Sequence, residues 1–321
     1  MGKRAHFAMT IVSGALTASV ASPHAQEPPS TIHVVVPNPP GGAMDTLIRI
    51  LGERIAVRHG ATLVVDNRPG ASTIIGSDIV ARAPPDGGTL LIAANSFLVN
   101  PHIRTLPFDP LTSFAGVCEL VEIPQVFAVN AQSHYMSLTD FVAAARENPG
   151  RLSIGSNGPA TGQHVVAEVF RRAAAIDFTY VPYPGGAQAV NALMGQQIDS
   201  MTAAFADLHS QWKAGQLRVL ATAMARRTPL APEIPTFREA GFDFTVPSWL
   251  GLHVPAKTPA PVRARLEQWF AEALAEPRTN DVLANMQMGV NSLCGAPFDA
   301  FLKEQYEALG KIVREAGIKA Q

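Results

Sequence analysis

The sequence predicts an α/β chain folded as two lobes, each an open sheet flanked by helices, with a cleft between them. Two observations carry the prediction. The order strand, helix, strand, helix, strand occurs twice, and such runs build parallel sheets with right-handed crossovers. Each run also contains a short apolar strand that enters a glycine-rich, uncharged turn opening an amphipathic helix: VVVPNPPGGAMD from Val34 to Asp45, and IGSNGPATGQH from Ile154 to His164. A helix start has amides with no intrahelical partner at the positive end of the dipole, so it attracts carboxylates. Two such starts in one chain suggest a jaw for a small diacid.

In the first run, Ile32 to Val36 reads as a buried strand, and Ala43 to Val57 as a helix with Leu47, Ile48, Leu51 and Ile55 on its apolar face. Thr62 to Val65 is the next strand. The loop from Asp66 to Ala71 leads into a helix carrying Ile74, Ile75, Ile79 and Val80, which Pro84 and Pro85 end. Asp86 and Gly87 turn the chain into the strand Thr89 to Ala93. Ser137, with Asp140 three positions on, reads as an N-cap opening a helix that stops at Asn148, Pro149 and Gly150. The second run is strand Leu152 to Gly155, helix Thr161 to Ala174, strand Phe178 to Val181, turn Pro182 to Gly186, helix Ala187 to Leu193 and strand Ile198 to Ala203. Two closing helices, Pro261 to Ala275 and Pro297 to Ala316, are expected to pack back on the first lobe.

With 321 residues, 47% of them hydrophobic, the chain can bury large cores and divides more naturally into two domains than one. Lys3 and Arg4, followed by small and apolar residues from Ala5 to Ala21, read as a secretory leader over residues 1–25, cleaved after either Ala21 or Ala25. No cysteine stands near its end, so no membrane anchor through lipid is expected. Losing Lys3 and Arg4 takes the formal net charge from −1 to −3, which argues against a nucleic-acid partner. The nine histidines are scattered with no metal-ligand spacing, and no cofactor is expected. Cys118 and Cys294 are expected as two buried free thiols, although a disulfide is permitted outside the cytoplasm.

These residues resemble the Bug-type, TctC-like solute-binding proteins of tripartite tricarboxylate transporters, from about Ile32 to Gly317. VVVPNPPGGAMD looks like the family's first ligand loop, and VVDNRPGASTIIG (Val64 to Gly76) and PPDGGTLL (Pro84 to Leu91) like its next signatures. NPHIRTLPFDP (Asn100 to Pro110), VPYPGG (Val181 to Gly186), GQQIDSM (Gly195 to Met201), PEIPTFREAGF (Pro232 to Phe242) and SWLGLHVPAKTP (Ser248 to Pro259) continue the series in order. The resemblance implies a type II periplasmic-binding-protein fold. It places residues 26–129 and 250–321 in lobe 1 and residues 130–249 in lobe 2, with crossovers near Phe127 to Ala131 and Pro247 to Leu252.

In the first ligand loop, Gly41 and Gly42 let the backbone approach a ligand, and the amides from Gly42 through Ala43 to Asp45 would face one carboxylate. Asp45 is expected to organise the loop first and touch ligand second. Asn38 stands where the family commonly has an aromatic residue, exchanging a hydrophobic wall for amide donors and an acceptor, or serving the turn alone. In the second loop Ser156, Asn157, Thr161, Gly162 and Gln163 offer donors, and the resemblance places a second carboxylate there. Thr161 is also a good N-cap, and His164 is expected to be structural. Asn95 and Asp207 follow strands at their carboxyl ends, where cleft residues belong; the resemblance supports a lining role for Asp207. Tyr183 is a further lining candidate, while Pro184 replaces a lysine frequent in the family. Asp199 and Arg68 are expected to be structural, and Trp249 to belong to the crossover.

The expected function is periplasmic binding of a small carboxylate for delivery to large and small integral membrane transporter subunits, with no enzymatic activity. A ligand-sensing subunit for a sensor kinase is the alternative. A secreted α/β hydrolase is disfavoured because GxSxG, HExxH, GxGxxG and the P-loop pattern are absent, leaving only a constellation such as Ser156, His164 and Asp207.

Overall fold

The first sheet grows outward from β1 (Thr31–Val36), whose Ile32, Val34 and Val36 face one core and Val35 another. The structure, a computed structural model, describes residue 2, residues 27–158 and residues 161–317; the expected leader, apart from residue 2, lies outside them. After β1 comes α1 (Ala43–His59), which buries Leu47, Ile48, Leu51 and Ile55 and ends at Gly60, whose left-handed φ of 68° lets its amide donate to Ala56 O. Strand β2 (Thr62–Asn67), helix α2 (Ile74–Ala81) and strand β3 (Thr89–Ala93) follow, and β2 and β3 lie parallel on either side of β1. A short α3 (Asn95–Val99) then leads to β4 (Phe114–Glu122).

The second sheet begins with β5 (Gln125–Asn130). Next is α4 (Leu138–Glu147), opened by the expected capping box: Ser137 Oγ accepts from Asp140 N at 3.2 Å, and the Asp140 carboxylate accepts from Ser137 N at 2.9 Å. The repeat then runs β6 (Ser153–Asn157), α5 (Gly162–Ala173), β7 (Thr179–Tyr183), α6 (Gly186–Met194), β8 (Ser200–Ala204), α7 (Phe205–Lys213) and β9 (Leu217–Thr222). The chain returns to the first sheet through β10 (Trp249–Pro255), then α8 (Ala260–Ala275), α9 (Pro277–Asn285), β11 (Gly289–Cys294) and α10 (Ala296–Ala316). The two sheets have the orders β11-β4-β10-β3-β1-β2 and β7-β6-β8-β5-β9.

Three expectations change. Residue 129 falls inside β5, which pairs with β8 and β9, so the chain leaves the first sheet earlier, at Ile123 and Pro124. Pro124 has no amide to continue the β4 ladder, and its carbonyl instead accepts from Phe205 N. The closing helices do not both stay on the first sheet. Helix α8 packs on β4 and α1, but α10 touches β4, α3 and, in the second unit, α5, with Arg172 paired to Glu315 at 3.1 Å. Apolar residues of α10 accordingly belong to a core continuous with Phe127, Phe141 and Phe170 beside the second sheet. Finally, Cys118 and Cys294 are not free thiols but form a disulfide. They face each other across the antiparallel β4–β11 pair, a neighbourhood that 176 residues of sequence separation conceal.

Candidate ligand-binding site

The parallel strands of both sheets point their carboxyl ends at one cavity of about 480 Å³, lined from the first sheet by Asn38, Ala43 and Asn95 and from the second by Asn157, Gly162 and Gln163. That volume suits a small molecule. Helix α1 starts here with no side-chain cap at Gly42, so its leading amides have no side-chain partner; Ala43 and Met44 form part of the wall. Helix α5 starts on the opposite wall. Thr161 caps it, its hydroxyl accepting from His164 N at 3.2 Å and contacting the carbonyls of Asn157 at 2.6 Å and Gly158 at 3.0 Å. Two positive helix ends therefore border one space.

Asp45 lies beneath the first loop, not on the wall. Its buried carboxylate accepts from Gly41 N at 3.1 Å and from two Arg49 nitrogens at 3.0 Å each. The Arg49 hydrogen bonds hold the carboxyl below the usual range, with Gly41 adding to the effect. Gly41, at φ 80°, makes that turn possible. Asn67 braces the loop from β2 by donating to Asn38 O at 3.1 Å.

The remaining candidates divide. Asn95 donates to Pro247 O at 2.7 Å, tying the end of β3 to the connection between the sheets. Asp207 opens onto the cavity at the start of α7 and lies so close to Gly186, the first residue of α6, that a β-carbon there would collide with its carboxylate. Desolvation by the walls raises its carboxyl above the usual range, and a hydrogen bond from Asn157 opposes the shift. Asp207 is the one ionisable side chain on the cavity wall among the described residues. Ser156 and Tyr183 are not on that wall. The Ser156 hydroxyl is buried and shares a 2.8 Å hydrogen bond with Tyr180, and Tyr183 packs over Gly155. His164 is buried and stacks on Tyr180 with ring centres 4.3 Å apart; burial pushes its pKa down to about 4. Asp199 accepts from the amide and hydroxyl of Ser153, and Arg68 pairs with Asp66.

Sequence reasoning missed several wall residues. Ser72 and Thr73 lie in a stretch where Ala71, Ser72 and Thr73 all have positive φ, between 46° and 79°. Their signal was the loop after a second parallel strand, which belongs to the same strand-end geometry as the first. Ile123, Gln125, Ser248 and Leu250 come from the two crossing connections, whose contribution depends on how the sheets are set together.

The pattern for the tripartite tricarboxylate transporter family receptor, TctC, matches residues 47–318. A protein of Pseudomonas sp. strain P51, named as the UPF0065 protein in the tcbD-tcbE intergenic region, is 34% identical over 316 residues, covering 95% of this chain and 93% of its own. The solved structure of R. palustris Rpa4515 with adipate is 27% identical with a TM-score of 0.79, covering 90% of this chain and 98% of its own. MatC (Rpa3494) from Rhodopseudomonas palustris with bound malate is 26% identical with a TM-score of 0.76, covering 88% and 98%. The architecture is thus that of periplasmic binding proteins, and the family is one of solute receptors, not enzymes. The chain belongs to the tripartite tricarboxylate transporter receptor family.

Proposed function

We propose that this protein captures a small carboxylate in the periplasm and presents it to the large and small membrane subunits of a tripartite tricarboxylate transporter. One observation carries the reading: the starts of α1 and α5, on opposite walls, border the same cavity. Backbone amides at both ends would take the carboxylate oxygens, and the hydroxyls of Thr73 and Ser248 supplement them. With no lysine or arginine on the described wall, dipoles and water must meet the ligand's charge, which favours a small acid over a polyanion. Asp207 limits the charge tolerated near α7 and suits a hydroxyl or amino group on the ligand.

Relatives bound to adipate and malate support a ligand of this class. The basic-then-apolar start of the sequence supports export, and no helix among the described residues is long and apolar enough to cross a membrane. Ligand touching both walls would favour closure about the crossing connections. Thermal-shift screening followed by calorimetry with malate, adipate, citrate, aspartate and glutamate tests the reading. Saturable binding of at least one, lost on Gly42→Trp, is expected; no binding across the set would reject it.

A further inference from the structure

We propose that a second cavity, behind the crossing connections, controls closure of the ligand cleft, so that a compact apolar group filling it shifts the protein toward its closed form. This cavity measures about 280 Å³. Ala284 of α9 and Met288 wall it from the first unit, and Met224, Pro229 and Leu230 from the segment that follows β9. That segment belongs with the second sheet, because Val246 N donates to Ala223 O and Phe237 N to Thr222 O.

The floor is the crossing segment itself. Glu122 and Pro124 line the rear cavity, while Ile123 and Gln125 line the ligand cavity. Successive side chains of extended backbone point to opposite faces, so one short segment separates the two spaces. Ile123 N donates to Ser248 O at 2.8 Å, joining the outgoing and returning connections into a ribbon. Rotation about such a ribbon that separates the walls of one space must approach those of the other.

On the ligand side the walls stand close at Gly162. A β-carbon at Gly162 would lie 3.8 Å from Asn95 Cγ and from Ser248 Oγ, ordinary van der Waals contact. Opening the ligand cleft from this position narrows the rear cavity. Apolar volume placed there would fit the present arrangement and clash as the cleft opens, so it selects the closed form. The coupling needs no knowledge of the transported solute.

The test measures the ligand-free protein by double electron–electron resonance, with nitroxides on cysteines introduced by Ile75→Cys on α2 and Gln188→Cys on α6, both exposed. Ala284→Phe fills the cavity from one wall and Leu230→Trp from the other. Each is expected to raise the ratio of short to long distances about tenfold, the scale of burying part of an aromatic ring. Leu230→Gly, which enlarges the cavity, is expected to shift the ratio the other way. Unchanged or longer distances in the filled variants, with wild-type near-ultraviolet circular dichroism, would overturn the proposal. Because no solute is added, a shift without carboxylate binding would reject the transport reading and leave this one standing.

Discussion

Removing the Cys118–Cys294 bond is expected to cost several kcal/mol of stability while leaving solute affinity unchanged. The bond closes a segment of 176 residues. In the chain-entropy account a loop of that length restricts the unfolded ensemble by about 5 kcal/mol, near the top of the range for native disulfides. The surrounding frame does not depend on the bond, because β4 is also paired with β10 and Gly295 N donates to Val117 O. Cys118 is fully buried, so alanine also leaves a small void. At about 2–4 °C per kcal/mol for a unit of this size, Cys118→Ala/Cys294→Ala should melt about 5–20 °C below the oxidised protein. Calorimetric scans with and without dithiothreitol provide the assay: reductant should lower the wild-type transition most of the way to that of the variant, the remainder being the void, and leave the variant unmoved. Equal melting temperatures for oxidised wild type and variant would refute the reasoning. Neither cysteine lines the ligand cavity, so calorimetric affinity should not change.

Three further outcomes follow from the site. Asp45→Asn should cost about 1–2 kcal/mol at neutral pH, from weakened charge-assisted hydrogen bonds. Because the folded carboxyl titrates below its unfolded value, that contribution is complete at neutral pH and fades as pH falls through the lowered value; denaturant melts over about pH 3 to 7 should show a shallower acid slope in the variant. Asp207 is shifted the opposite way, so it neutralises earlier as pH falls and stops repelling an anionic solute. Affinity for a dicarboxylate should therefore rise, as pH falls toward the raised value, more steeply in the wild type than in Asp207→Asn, with the solute's own titration common to both. At Gly162, alanine places its β-carbon in ordinary contact and should bind as wild type, whereas valine adds methyls to the narrow space before Asn95 and Ser248. Gly162→Val should weaken binding by about 1–3 kcal/mol, roughly 5-fold to 150-fold, by titration calorimetry.

The parts of the fold that were legible in the sequence are those fixed by local patterns. The i, i+3, i+4 stripe of Leu47, Ile48, Leu51 and Ile55, the Ser137–Asp140 cap and the glycine-rich helix starts each state their own structure within about a dozen residues. The antiparallel β4, β10 and β11 are bound to partners far along the chain, and in β4 and β10 alternation is blurred by burial on both faces; β10 is buried at every position. The disulfide was hidden for the same reason. Within the site, Asn38, Ala43 and Gly162 follow from strand-end geometry, but Gln125 and Ser248 reach the cavity only because the two connections run side by side. Ser156 and Tyr183 sat in the right motifs and face elsewhere, because strand alternation turns Ser156 toward Tyr180 while Tyr183 covers the bare backbone of Gly155.

Native mass spectrometry of the full-length protein, expressed in a bacterium and purified without added solute, tests the central claim most directly. The account predicts a small carboxylic acid held one per chain, released on denaturation and held at lower occupancy by Gly162→Val. Recovery of the wild type empty, with no di- or tricarboxylate, hydroxy acid or acidic amino acid then raising its melting temperature, would contradict it.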